Sequence, residues 1–290
     1  MNVFIFAGQS NMQGADSVVA ETGVFDMAAA GLQQAADRAT LFTYAQVSDW
    51  DRSSPNNYTS VYPDGEAFGD IRGHMGPSMG IDGFHVHGPE VGFARTMAMS
   101  GMTSSAVIKF AGNYRSLENG RSAWCKDHSR YTDLAEFVKA RLVHLTAAGH
   151  DPIVRGFVWH QGIDDALLGR SQSAYMNDLS QVICSLREDF EARDAPFVVA
   201  RSFSSPMAGR GKMEPIRDGQ VATAESLPAA AWVDVDDLPA INIHHFSSAS
   251  QLIIGERFGK AMLELMRKVE PGSRFAVLSE RARWRTRAIG

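Results

Sequence analysis

The fold is decided by the stretch Val3-Phe4-Ile5-Phe6-Ala7-Gly8-Gln9-Ser10-Asn11-Met12. Its apolar first half stops at a glycine, which is typical of a buried strand in a parallel sheet. The polar residues that follow place Ser10 at the carboxyl end of this strand, the edge where open α/β sheets bind ligands. There its hydroxyl and backbone N–H would supply the nucleophile and the oxyanion donor of an acyl-transfer enzyme. A second interpretation stays open, in which Ser10 only caps the next helix.

Composition and charge are those of an ordinary globular protein. The chain has 290 residues, 44% hydrophobic and 21% charged, enough for one large α/β domain or two small ones. A net charge of -5 gives no support to a nucleic-acid partner or to an anionic membrane surface. No segment reaches the length of a membrane span. Cys125 and Cys184 stand in unrelated contexts, which favours two thiols over one disulfide.

The position of the first strand bears on the compartment. This strand begins at residue 2, so we expect no signal peptide before it. The protein then stays inside the cell, or it is secreted or periplasmic and the chain begins at its mature end.

Two further strand ends carry polar residues to the same edge as Ser10. One apolar run spans residues 105 to 111 and ends at Gly112 and Asn113. Another spans residues 153 to 159 and leads into His160-Gln161-Gly162-Ile163-Asp164-Asp165. One polar strand end carries little weight, but three that converge indicate a site. Gly112 fits either a close backbone approach to a ligand or a plain turn.

The rest of the chain alternates strands with helices. Helical patterns cover residues 90 to 100, 132 to 148, 173 to 190 and 248 to 269, and two more strands cover 196 to 200 and 230 to 235. This alternation predicts a single α/β domain over residues 1 to 270, with about five parallel strands. Loop insertions at about 13 to 80 and 113 to 130 are either walls of a substrate cleft or surface excursions. Residues 271 to 290 form a basic tail.

Several blocks of this sequence resemble the SGNH hydrolases, specifically the sialate O-acetylesterase-like branch that includes carbohydrate esterase family 6. Gly8-Gln9-Ser10-Asn11-Met12 resembles the nucleophile block of that branch. Trp159-His160-Gln161-Gly162-Ile163-Asp164-Asp165-Ala166 resembles its Trp-His-Gln-Gly-Glu-Ser-Asp-Ala block. Residues 109 to 117 resemble the oxyanion-glycine block, and Asp237-Leu238-Pro239 with His245-Phe246-Ser247 resemble the closing block.

The resemblance covers about residues 2 to 265, with the blocks in the family's order. It implies a three-layer α/β/α sandwich, flavodoxin-like, that removes acetyl groups from carbohydrates without a metal or cofactor. The acetylated carbohydrate is then the partner of the site, and no nucleic acid or membrane is expected.

The family's residue roles transfer to matching positions. Ser10 matches the nucleophile and His245 the general base, while Gly112, Gln161 and the Ser10 N–H match the oxyanion hole. A serine hydroxyl is a poor nucleophile until a base takes its proton, and histidine titrates near working pH. Other polar residues of these blocks are expected to contact substrate, namely Gln9, Asn113, His160, Asp164 and His244.

Two positions depart from the family. Asn242 stands where the family has the aspartate that orients the histidine, and Ile163 replaces the glutamate of the third block. An asparagine can hold the histidine tautomer but cannot stabilise the imidazolium, and the comparable change in a serine protease slows the reaction roughly 10⁴-fold. Four carboxylates are candidates to replace the missing one. Asp237 and Asp165 come first in order of preference, followed by Asp164 and Asp236. His244 is an alternative base, although the Phe-Ser that follows favours His245.

The sequence therefore predicts a serine-dependent carbohydrate O-acetylesterase that works through an acetyl-Ser10 intermediate. The missing carboxylates leave open a catalytically weakened carbohydrate-binding protein on the same fold. A sugar O-acyltransferase, in which a sugar hydroxyl replaces water, is a further alternative.

Overall fold

The structure is a computed structural model that describes residues 1–14, 40–46, 78–79, 85–86, 88–102, 104–111, 116–117, 123–209 and 211–269. For residues 40–46, 78–79 and 85–86 it describes the backbone alone.

A six-stranded parallel sheet forms the centre of the described residues. Its strands run in the order β2-β5-β1-β6-β7-β8. A separate antiparallel pair is formed by β3 and β4. The bounds are β1 Asn2–Gly8, β2 Thr40–Gln46, β3 Ser78–Met79, β4 His85–Val86, β5 Ser104–Ala111, β6 Ile153–His160, β7 Phe197–Arg201 and β8 Ala230–Asp234.

Helices cover both faces of the sheet. They are α1 Ser10–Gln13, α2 Glu90–Met99, α3 Ser129–Ala147, α4 Ile163–Leu167, α5 Gln172–Asp189, α6 Glu214–Ser226 and α7 Ser248–Val269. Side chains alternate along β1, so that Ile5 packs into a core with α3, α5 and α6. Its neighbour Phe6 packs into a second core with α2 and α7. The molecule is thus a three-layer α/β/α sandwich. No described helix has the length and apolar character that a membrane crossing requires.

The strand order identifies the binding edge. Without the outer strand β2, the sheet has the 2-1-3-4-5 order of flavodoxin-like folds, and the predicted fold class is confirmed. The chain leaves β1 toward β5 on one side and later returns to β6 on the other side. Ligands in such sheets bind at the carboxyl ends of the strands beside this reversal. Ser10 follows β1 at that point.

Three elements differ from the expectation. Residues 40–46 were expected within a loop insertion, but they form β2 and pair with β5. Its short run of β-favouring residues is surrounded by polar sequence, which hides the signal. Helix α6 was not predicted, because Pro215 in its first turn and Gly219 in its middle weaken the helical pattern. Helix α3 begins at Ser129, inside the loop expected at 113 to 130. The remainder of the first insertion and the tail lie outside the described residues. No disulfide joins Cys125 to Cys184, as expected.

Helices α2 and α7 pack closely because glycines face each other across their contact. A Cβ on Gly255 would overlap the carbonyl oxygen of Pro89, and one on Gly92 would overlap that of Leu252. Backbone oxygens cannot rotate away as a side chain can. This contact fixes where α7 begins, and therefore where the histidine loop before it lies.

We expect Gly255→Ala to lower the free energy of unfolding by about 1–3 kcal/mol, because the added methyl overpacks a rigid contact. The loss should appear although alanine is the better helix former by about 1 kcal/mol. Urea unfolding measures it. The matched control is Gly156→Ala, whose methyl meets the flexible end of Met262 and should cost less. Equal losses at both positions would contradict the rigid-contact argument.

Candidate active site

Ser10 is positioned by a tight turn at the end of β1. The Gln9 N–H donates to the carbonyl oxygen of His160 at 3.0 Å, which extends the β1–β6 pairing into the turn. A Cβ at Gly8 would overlap the same carbonyl, so only glycine fits there. The short helix α1 then begins at Ser10 and ends at Gly14, which has the left-handed conformation of a helix C-cap.

Ser10 lines a cleft at the carboxyl edge of the sheet. Other lining residues are His160, Gln161, Phe203 and His244. Within the described part of the chain, neither the Ser10 hydroxyl nor its N–H has a hydrogen-bond partner. An N–H in the first turn of a helix has no acceptor within that helix. Ser10 therefore presents a hydroxyl and a donor to whatever enters the cleft.

The histidine loop, residues 242–246, is fixed to the Ser10 turn by Asn11. The Asn11 side chain donates to the His244 carbonyl at 2.9 Å and accepts from the Phe246 N–H at 3.3 Å. From the other side of the loop, Ser205 Oγ donates to the Ile243 carbonyl at 2.6 Å. The residue after the proposed nucleophile thus sets the distance between the nucleophile turn and the histidines.

The structure brings both histidines to this place. His244 lines the cleft with Ser10, whereas His245 is 9% exposed and lies beside it, with 4.0 Å between the ring centroids. Neither ring forms a hydrogen bond with Ser10 Oγ among the described contacts. Catalytic hydrogen bonds often form only when substrate is bound, so this geometry rules out neither imidazole.

Asn242 folds the loop through its side-chain oxygen. Its Oδ1 accepts the N–H groups of His244 at 3.0 Å and of His245 at 2.8 Å. An amide oxygen has two lone pairs, and both are occupied here. The remaining polar atom of Asn242 is a donor, so this side chain cannot accept the Nδ1–H of a histidine as the family's aspartate would.

The replacement carboxylates at the end of β8 are held by arginines. Asp237 forms two hydrogen bonds of 2.6 Å with Arg257 of α7 and is largely exposed. Hydrogen bonding to this guanidinium lowers the pKa of Asp237. Asp236 is bound by Arg217 and by Arg201 in the same way, and its pKa is also lowered. These two carboxylates stabilise the β8–α7 connection.

Asp165 holds the predicted oxyanion residue Gln161. Asp165 is fully buried and accepts from Gln161 Nε2 at 2.5 Å and from the Leu117 N–H at 3.2 Å. Tyr175 donates from the opposite side to the Gln161 side-chain oxygen at 3.1 Å. Burial raises the pKa of Asp165 to about 6, although its hydrogen bonds act in the other direction. Asp165 orients an amide and does not face the histidines through these bonds.

Gln9 and Asp164 close the floor of the cleft. The side chain of Gln9 accepts from the Gly162 N–H at 2.9 Å and donates to Asp164. The two expected substrate contacts therefore bind each other and join the ends of β1 and β6. Gln9 is 3% exposed, which leaves little of its surface for a ligand.

His160 places a neutral imidazole in the cleft wall. The side chain is 2% exposed and packs near Phe246 and Phe258, with centroid distances of 6.2 and 6.3 Å. Burial lowers the pKa of His160 to about 4. Neither ring nitrogen has a hydrogen-bond partner among the described residues. Like Gln9, His160 has little exposed surface, so its expected contact with substrate stays a prediction.

A comparison with known protein families identifies the family of this chain. Residues 1–264 match the family model described as carbohydrate esterase, sialic acid-specific acetylesterase. The chain belongs to this acetylesterase family. It is a carboxylic ester hydrolase on an SGNH-type fold, and both expectations are confirmed. No curated protein is similar enough in sequence to count as a match.

Solved structures share the fold of this acetylesterase. A protein from Arabidopsis thaliana has a TM-score of 0.61 at 17% identity, covering 91% of this chain and 98% of its own. NanS has a TM-score of 0.63 at 16% identity, covering 92% and 98%. XAC1771, a carbohydrate acetylesterase from Xanthomonas citri, has 0.59 at 16% identity, covering 92% of this chain and 57% of the longer protein.

Two predicted residues of the acetylesterase site, Gly112 and Asn113, lie outside the described residues, and their roles stay predictions.

A larger groove of about 970 Å³ lies at the amino ends of β6 and β7. Its described lining contains no serine, cysteine or histidine, so it offers no nucleophile of these types and no imidazole base.

Sequence reasoning missed the residues that position the site. Gln220 of α6 donates to the Gln161 carbonyl at 2.7 Å, and it was missed along with its helix. A buried ion pair supports the other end of α1, where Lys109 Nζ lies 2.7 Å from Glu90 and donates to the Gln13 carbonyl at 3.2 Å. The lysine among the apolar residues of β5 was the available signal, because a lysine is almost never fully buried without a partner.

We expect Lys109→Met to destabilise the acetylesterase by about 3–5 kcal/mol, because it leaves the buried Glu90 charge without its cation. The double variant Glu90→Gln/Lys109→Met should recover most of that loss, since it removes both charges. Chemical denaturation at neutral pH measures both. A double variant as unstable as the single one would show that the ion pair is not the cause.

The raised pKa of Asp165 predicts a pH-dependent stability. The pKa of about 6 in the folded protein exceeds the ordinary aspartate value of 3.8, so the folded state holds the proton more tightly. The stability that protonated Asp165 contributes to the fold is fully present below the unfolded pKa and disappears as pH rises through 6. The stability of wild type relative to Asp165→Asn should fall by up to about 3 kcal/mol between pH 4 and 7. Thermal unfolding of both proteins across this range measures it, and a constant difference would contradict it.

Proposed function

We propose that the protein hydrolyses acetyl esters on a carbohydrate, with Ser10 as the nucleophile. The observation that carries the proposal is the placement of Ser10, which lines the cleft beside the reversal of strand order and whose hydroxyl and N–H have no hydrogen-bond partner among the described residues. Membership in a carbohydrate acetylesterase family supports the substrate class. The family description makes an acetylated sialic acid the first substrate to test.

The reaction proceeds through an acetyl-enzyme. Ser10 Oγ attacks the ester carbonyl while the base takes its proton, and the resulting oxyanion lies against the Ser10 N–H. The base then returns the proton to the sugar oxygen as the C–O bond breaks. Water then attacks acetyl-Ser10 while the base takes a proton from the water. The base returns this proton to Ser10 Oγ as the bond between the serine oxygen and the acetyl carbon breaks, which releases acetate. The Gln161 amide, held by Asp165 and Tyr175, is the second proposed oxyanion donor.

His245 is the proposed base. It matches the family's closing block, and Asn11 and Asn242 hold its backbone. The side-chain oxygen of Asn242 and the carboxylates of Asp237 and Asp165 are engaged by other groups. The histidine deprotonates the serine, and a carboxylate beside a catalytic histidine stabilises the imidazolium that forms. His244, which lines the cleft, then contacts the sugar.

Ser10→Ala should lower kcat/KM for acetate release by at least about 10³-fold, because the covalent route is lost. His245→Ala should lose activity to a similar degree, and His244→Ala should lose less. The assay is acetate release from O-acetylated N-acetylneuraminic acid, acetylated xylan and p-nitrophenyl acetate. The matched control is Ser204→Ala, an exposed serine near the cleft whose hydroxyl donates to Glu214.

Each contrary result has its own meaning. Undiminished activity in Ser10→Ala would exclude the serine mechanism. A greater loss in His244→Ala than in His245→Ala would transfer the role of base to His244. Binding of acetylated sugar without turnover by wild type would favour the carbohydrate-binding alternative. Transfer of acetyl to an added sugar in preference to water would favour the acyltransferase.

A further inference from the structure

A second groove, the Trp232 groove, lies beside the edge strand β8. It has a volume of about 880 Å³, and residues of α5, α6, β7 and β8 line it. Trp232 stands opposite Val199 in the β7–β8 register, and Arg201 lies two residues farther along β7. Residues two apart on a strand share a face, so both side chains leave the sheet toward α6. None of these groups has a role in the site described above.

The floor of the Trp232 groove is apolar. The Trp232 ring is partly exposed, and its Nε1–H donates to Glu225 of α6 at 3.4 Å. Two small apolar residues of α6, Val221 and Ala222, continue the floor. A fixed indole face with a polar edge is suited to a ligand that has an apolar face and polar edges of its own.

The rim of the groove carries donors and acceptors that face solvent. Arg201 Nη1 donates to Asp234 at 3.1 Å and Asp236 at 2.9 Å, while its Nε and Nη2 donate to no described residue. Asp218 is exposed and has no hydrogen bond or ion pair with any described residue, and the same holds for the Gln172 amide. A pyranose ring offers the complement, because its C–H face packs on an aromatic ring and each hydroxyl both donates and accepts.

The charge of the groove selects among sugars. Asp218 and Glu225 contribute two carboxylates, and the single guanidinium of Arg201 is already paired with Asp234 and Asp236. A ligand anion placed here would meet like charge. The groove therefore favours an uncharged sugar over one that carries a carboxylate.

One lining residue of the groove and one of the catalytic cleft are neighbours in sequence at the end of β7. Arg201 borders the groove, and the next residue, Ser202, lines the cleft that holds Ser10. We propose that the Trp232 groove binds a neutral sugar unit of the same glycan whose acetyl ester reaches Ser10. This inference rests on the proposed function for its choice of a glycan.

A nitrogen-15 NMR titration of the full chain tests the groove without any turnover. The indole N–H signal of Trp232 is assigned from its loss in Trp232→Phe. The probes are unacetylated xylotetraose, cellotetraose and lacto-N-tetraose, with N-acetylneuraminic acid as the anionic comparison. At least one neutral probe should shift the Trp232 signal, and N-acetylneuraminic acid should shift it less. Asp218→Ala, which breaks no described contact, should weaken the binding.

Two results would overturn the inference. One is a Trp232 signal that none of the neutral probes moves, and the other is a stronger response to the anionic sugar. Activity is a separate readout, because Trp232→Ala should hydrolyse p-nitrophenyl acetate as wild type does and lose about tenfold in kcat/KM on an acetylated polymer that contains the bound sugar. A wild type inactive on every ester would contradict the proposed function, while the titration would still decide the groove.

Discussion

The hydrogen bond from the Gln9 N–H to the His160 carbonyl is the contact on which the site depends. It continues the β1–β6 pairing one residue beyond the strand, and Gly8 permits the approach because it has no Cβ. As a result, Ser10 begins its helix beside the end of β6, where His160 and Gln161 are. The nucleophile and the amide expected to stabilise the oxyanion thus share one rigid support, which limits the reorganisation needed during reaction.

The hydrogen bonds of the site hold its polar groups in place. Asn242 uses its oxygen to shape the histidine loop, Asp237 fastens that region to α7, and Asp165 orients Gln161. Each polar group therefore has a positioning task, and Asn11 joins the loop to the nucleophile turn. Holding the proposed reacting groups in a fixed geometry favours their reaction.

Sequence reasoning found the features that rest on local pattern. The apolar strands and their polar ends predicted the sheet, the binding edge and the residues gathered there, and the blocks predicted the family. It missed Gln220 because the helical pattern of α6 is weak. It missed β2 because that short strand lies within polar sequence. The bonds from the Leu117 N–H to Asp165 and from Arg257 to Asp237 were also unpredictable, since each joins groups far apart in sequence. Residue type shows that a carboxylate is available, but only packing shows which donor it meets.

The central claim is that Ser10 carries the acetyl group during turnover. The most direct measurement is rapid acid quenching of the protein with an activated acetyl ester, followed by mass spectrometry of its peptides. The account predicts one added acetyl group on the peptide that contains Ser10, and its absence from Ser10→Ala under the same conditions. Turnover with no acetylated Ser10 peptide at any quench time, or acetyl found on another residue in both proteins, would contradict it.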